Sequence, residues 1–310
     1  NGGTPLVFGR GHDAPAVSSD GRYVAFPSLA TNLVAGQSDA NGATDVFLFD
    51  RVAGATTLVS HAAGAATTAA NGASDAPLLS ADGAWLAYAS LATNLVAAQA
   101  DANGGADVFL FGRVSGTSAL VSHAAGLPAT AANAPAAEHA LSSDGSWSAW
   151  SSAAANVVTG VTDANGASDV FAQPRATGLS ILVSRTAGAP AATADAASTQ
   201  PTLAANGNSV AFISSAANLA PGVTDANGLD DVFLYDRFHD TMALVSHVPA
   251  PVTTPGNSVS GPVAVSGAGH HVVFASASTD LVAGDLAGPV DVFYSTLPPV
   301  PVELEAFTIE

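Results

Sequence analysis

The chain has 310 residues, 48% of them hydrophobic and only 10% charged, with a formal net charge of -18, seven Arg, no Lys and no Cys. An acidic surface of this kind repels phosphate backbones and anionic lipid, which argues against nucleic-acid binding. Without cysteine there can be no disulfide framework, thiolate zinc site or Cys nucleophile, and no uncharged apolar run is long enough to span a bilayer, so membrane insertion is not expected.

The first 62-residue unit predicts four strands. They are Ala14–Ser18, Tyr23–Phe26 after a Ser19-Asp20-Gly21 turn, Asp45–Phe49 after a long loop, and Thr56–Ser60 after a turn at Ala53-Gly54. Alternating apolar residues, rich in β-branched and aromatic types and bounded by Gly and Asp, support strands; no segment carries a helical period. The loop ends in Asp39-Ala40-Asn41-Gly42-Ala43-Thr44-Asp45-Val46-Phe47, and the same pattern returns 62 residues apart at Asp101, Asn103 and Asp107, at Asp163, Asn165 and Asp169, and at Asp225, Asn227 and Asp231. A fifth, eroded copy runs from Asp285 to Phe293, with Ala287 in place of the Asn and a shorter loop. The Asp-Gly turn also recurs, at Asp82-Gly83 and Asp144-Gly145, with Asn206-Gly207 next; such pairs tolerate the positive φ of tight hairpins.

Four short antiparallel strands repeated in this way predict an all-β fold, a five-bladed β-propeller. Its blades run over about 13–62, 75–124, 137–186, 199–248 and 261–297. The last of these has only three strands. Thr4-Pro5-Leu6-Val7-Phe8 matches the other fourth strands, so the expectation is that residues 4–8 complete blade five and that 1–297 is one closed domain. Residues 298–310 then form a Pro-rich linker and a strand-like tail, Val302–Ile309, with no partner left in the ring. That tail is expected to lie back on its own propeller or to pair with another chain by strand addition, assembling a filament.

The Ser-Asp-Gly turn and the third strands Asp45–Arg51 and Asp231–Arg237 resemble the TolB-like, WD-repeat-like β-propeller repeat family. The resemblance covers roughly 4–297 and implies the propeller fold. It does not imply a single function, because such propellers serve as binding, scaffolding and enzymatic domains.

The candidate metal ligands are the loop residues Asp39, Asn41, Asp45, Asp101, Asn103, Asp107, Asp163, Asn165, Asp169, Asp225, Asn227 and Asp231. Oxygen donors at fixed spacing suit Ca2+, but three side chains per loop fall short of the six to eight ligands calcium takes. The competing reading is a turn: Asn-Gly bends the chain and Asp caps it through backbone amides. The long loops show no hydrophobic pattern of their own. Asn32, Asn94, Asn156, Asn218 and Asp280 recur in step and are expected to bond loop backbone. Arg51, Arg113, Arg175 and Arg237 recur as structural residues placed to pair with nearby Asp. His61, His123 and His247 are too far apart for a shared metal, and His270-His271 and Glu138-His139 read as isolated surface pairs. Trp85, Trp147 and Trp150 lie in second strands, where packing is the natural role.

No nucleophile elbow, P-loop or HExxH motif occurs, and Glu is confined to Glu138, Glu303, Glu305 and Glu310. The expectation is a non-catalytic structural or interaction module; the alternatives are a glycan or small-molecule binding domain using the long-loop face and, third, a hydrolase. Acidity, missing Lys and a start at Asn1 without Met point to an exported bacterial protein, extracellular, cell-surface or periplasmic.

Overall fold

The computed structural model describes residues 14–284 and 290–296 and, as backbone, the strand 303–307. Among them are twenty strands and no helix, arranged as five four-stranded antiparallel sheets. The expected fourth strand at Thr4–Phe8 and the eroded loop 285–289 lie outside the described residues. The chain divides into two compact units.

The first unit holds two sheets. One is β1 (Ala16–Val17), β2 (Tyr23–Ser28), β3 (Asp45–Asp50) and β4 (Ala55–Leu58); the other is β5 (Ser74–Leu79), β6 (Trp85–Ser90), β7 (Asp107–Gly112) and β8 (Thr117–Leu120). Tyr23, Leu48, Leu86, Tyr88, Phe109 and Phe111 form its main buried cluster. The second unit holds three sheets. These are β9 (Ala136–Leu141) to β12 (Ile181–Leu182), with β10 (Trp147–Ser152) and β11 (Asp169–Pro174) between; β13 (Ser198–Leu203), β14 (Ser209–Ser214), β15 (Asp231–Asp236) and β16 (Thr241–Leu244); and β17 (Ser260–Val265), β18 (His271–Ser276), β19 (Asp291–Thr296) and β20 (Glu303–Phe307).

Within each sheet sequential strands are neighbours, the meander of a propeller blade. The second and third strands face each other in a full six-pair register. That register sets one aromatic pair at the heart of every sheet: Phe26–Phe47, Tyr88–Phe109, Trp150–Phe171, Phe212–Phe233 and Phe274–Phe293, stacked with ring centroids 5.6 to 6.0 Å apart. Directly opposed aromatic pairs of this kind stabilise a sheet beyond the area they bury. Trp150 is fully buried in its pair, as packing required.

Two expectations are corrected. The fourth strand of the last sheet is Glu303–Phe307, which pairs with β19 from Thr296↔Glu303 to Val292↔Phe307. The tail therefore has a partner in its own chain, at the edge the sequence reading assigned to Thr4–Phe8. This alternating segment, following Thr296 after only six residues, is the nearest in sequence to that edge, so it closes the smallest loop. The long loops also carry apolar anchors of their own: Leu95, Leu219 and Leu281 are buried, as is Val157.

Candidate functional site

The recurring residues divide their work. The last Asp of each loop begins the third strand and is buried. It accepts a hydrogen bond from the Ser that follows the fourth strand: Ser60 to Asp45 and Ser122 to Asp107 at 2.8 Å, Ser184 to Asp169 at 2.8 Å and Ser246 to Asp231 at 2.7 Å. The same hydroxyls accept the amides of Val46, Val108, Val170 and Val232. Each Asp-Val dipeptide is thus clipped to its outer strand. Burial pushes the Asp45 carboxyl up to about 6 and those of Asp107, Asp169 and Asp231 up to about 7. The serine bond opposes the rise, and the first Asp of each loop adds to it through its charge.

That first Asp caps the turn. Asp39 accepts the amides of Asn41 and Gly42, Asp163 those of Asn165 and Gly166, and Asp225 those of Asn227 and Gly228; Asp101 accepts the Asn103 amide. The middle Asn is a tie to the following connector. Asn41, Asn165 and Asn227 donate to the carbonyls of Ala70, Ala194 and Gly256, and Asn103 donates to Asp107 at 3.5 Å. Among the described residues no group of three or more His, Asp and Glu gathers as a metal cage; each loop offers two carboxylates and an amide. One oxygen stands out: Oδ2 of Asp107 is buried with no hydrogen-bond partner.

Other repeats are equally structural. Asn94, Asn156, Asn218 and Asp280 accept the amides of Asn71, Asn133, Asp195 and Asn257. The recurrent Arg residues reach a turn carbonyl, a partner the sequence did not point to. Nε of Arg51, Arg113, Arg175 and Arg237 donates to the carbonyl of the hairpin glycine, Gly21, Gly83, Gly145 and Gly207 respectively, at 2.8 to 3.2 Å. Those glycines have φ between 65° and 68°, the left-handed backbone that turns the carbonyl towards the guanidinium.

One break in the repeat brings three substituted residues together. In the first unit His61 Nε2 bonds the Gly116 carbonyl at 3.0 Å and its ring meets the edge of Phe111. At the corresponding positions of the second unit stand Arg185, Asp240 and Tyr235. All three replacements touch. The Tyr235 hydroxyl donates to Asp240 Oδ1 at 2.7 Å, Arg185 donates to the same oxygen, and the guanidinium lies 5.0 Å from the Tyr235 ring centroid. Hydrogen bonds from Tyr235 and Arg185 hold the Asp240 carboxyl below its ordinary value. The group opens onto a cavity of about 330 Å³ walled by Pro190, Leu219, Pro221 and Met242. Sequence reasoning passed over it, although the signal was present: aligning the copies at their 62-residue spacing sets Arg185 against His61, His123 and His247, Tyr235 against Phe49, Phe111 and Gln173, and Asp240 against Gly54, Gly116 and Gly178.

No family model and no curated protein matches the chain. Solved structures do. A prolyl endopeptidase is similar with a TM-score of 0.52 and 12% identity over 95% of this chain and 35% of that one. An oligogalacturonate lyase in complex with manganese gives 0.51 and 14%, over 96% and 65%. A TolB protein from Agrobacterium tumefaciens gives 0.45 and 16%, over 94% and 79%. At these identities the likeness is one of fold alone.

Proposed function

We propose that this chain is a non-catalytic propeller that serves as a structural and interaction module at the cell envelope or outside the cell. On this reading the five sheets are five blades of one propeller, and Glu303–Phe307 completes the fifth. The observation that supports it is the use of the repeated polar groups. The Asp, Ser, Asn and Arg of successive sheets are engaged in the same backbone ties, which leaves them to build sheets rather than to transfer protons. An acidic chain without Lys fits an exported location. The test is a panel of peptide, ester and glycoside substrates assayed with the purified chain. No turnover is expected; turnover abolished by a single Asp, Ser or His substitution would overturn the reading.

A second reading concerns calcium at the second loop. Asp101 and Asp107 lie close enough for their charges to interact, and the partnerless buried Oδ2 of Asp107 supports a cation between them. The Asn103 oxygen accepts the Gly105 amide, so backbone carbonyls or water would complete the shell. Thermal unfolding in calcium and in chelator tests it. A calcium-dependent rise that Asp101→Ala removes is expected; identical melting temperatures in both buffers would exclude it.

A further inference from the structure

The Arg185, Tyr235 and Asp240 group has no structural rationale comparable to the contact it replaces. His61 already joins neighbouring sheets with one bond to a glycine carbonyl and one edge contact. Asp240 keeps the left-handed backbone of the glycines it replaces, φ 58° against 63° for Gly54 and 64° for Gly116 and Gly178, a conformation that Asp adopts more readily than most side chains. In return comes an ion pair whose Asp240 side chain is 66% exposed and whose Arg185 side chain is 20% exposed, so the Asp240 side keeps its contact with solvent. Charged and hydrogen-bonding side chains gathered at the mouth of a cavity point to a ligand.

The chemistry of the walls narrows the ligand. Guanidinium donors and a carboxylate acceptor sit side by side, and the pair is neutral overall. Vicinal hydroxyls both donate and accept, so a diol can bridge the two without separating them. An anion would have to displace Asp240 from Arg185 and approach a chain of net charge -18. A cation would meet Arg185. The remaining walls, Pro190, Pro221 and Met242, suit the C–H face of a sugar ring, and a cavity of about 330 Å³ holds one such ring. We propose that this cavity binds a neutral saccharide unit through two adjacent hydroxyls held by Arg185 and Asp240. The site goes beyond the module reading above and does not depend on it.

Met242 is the chain's single methionine and lines the cavity, so a ¹³C-methyl-methionine label yields one NMR signal that reports on the site. Full-length protein is titrated with neutral hexoses, pentoses and their disaccharides, and with a uronic acid. A shift of the Met242 signal with at least one neutral sugar is expected. A triple variant, Arg185→His, Tyr235→Phe and Asp240→Gly, installs the side chains of the His61, Phe111 and Gly116 contact and should fold with an unchanged or higher melting temperature. Its affinity for that sugar should fall by roughly tenfold or more; should it fail to fold, Tyr235→Phe alone takes its place, with a weaker loss expected. No shift with any neutral sugar, equal affinity in a folded variant, or tighter binding of the uronic acid than of neutral sugars would overturn the proposal.

Discussion

Ser122 Oγ lies 2.8 Å from Asp107 Oδ1 and accepts the Val108 amide at 3.0 Å. One hydroxyl thereby satisfies two buried groups of the third strand and holds the fourth strand against it. Ser122→Ala leaves a buried amide and a buried carboxyl oxygen short of a partner. The expected cost is about 1–3 kcal/mol in urea unfolding. A change under about 0.5 kcal/mol would show that the clip is not structural.

The aromatic pair of the third sheet offers a graded test. Trp150 stacks on Phe171 with centroids 5.9 Å apart, and its indole nitrogen is buried without a hydrogen-bond partner. Trp150→Ala should cost about 3–5 kcal/mol through the cavity it leaves. Trp150→Phe keeps a stacked ring and removes the orphan N–H, so it should cost clearly less. Equal losses in the two variants would mean that ring stacking is not what the site requires.

His247 is buried, with Nδ1 on the Val248 carbonyl at 2.7 Å and no partner for Nε2. Burial holds its imidazole below the ordinary value. The unfolded chain therefore takes up the proton first as pH falls, so stability is full above about 6.5 and declines below it. Asp231, clipped to the neighbouring Ser246, titrates in the opposite sense because its carboxyl is raised. The informative quantity is the difference between wild type and His247→Gln. Between pH 7 and 5 the wild type should lose stability relative to the variant, by at most about 1.4 kcal/mol per pH unit. Parallel pH curves would rule this out.

The edge of β19 carries the strand Glu303–Phe307. Deleting residues 298–310 bares a row of backbone donors and acceptors on Val292–Thr296, which invites pairing with another chain. A lower melting temperature, or self-association seen by light scattering, is expected. Deleting residues 1–9 leaves that pairing in place and should cost less. A monomeric 1–297 chain with the full-length melting temperature would contradict the assignment.

The 62-residue recurrence, the order of four strands within it and the all-β class were legible in the chain, because alternation and turn chemistry act over a few residues. So was the packing role of Trp150, which lies in a second strand. Partner choice was not legible. Thr4–Phe8 matches the other fourth strands and Glu303–Phe307 alternates, and only the pairing with β19 shows that Glu303–Phe307 takes that edge. Arg51 stands beside acidic residues, yet its donor goes to Gly21, 30 positions away, because a left-handed glycine turns its carbonyl there. Arg185 and Asp240, 55 positions apart, meet only once two sheets pack. Local pattern determined which segments are strands; the contacts between distant segments, which set burial, charge and the cavity, were decided by the tertiary structure.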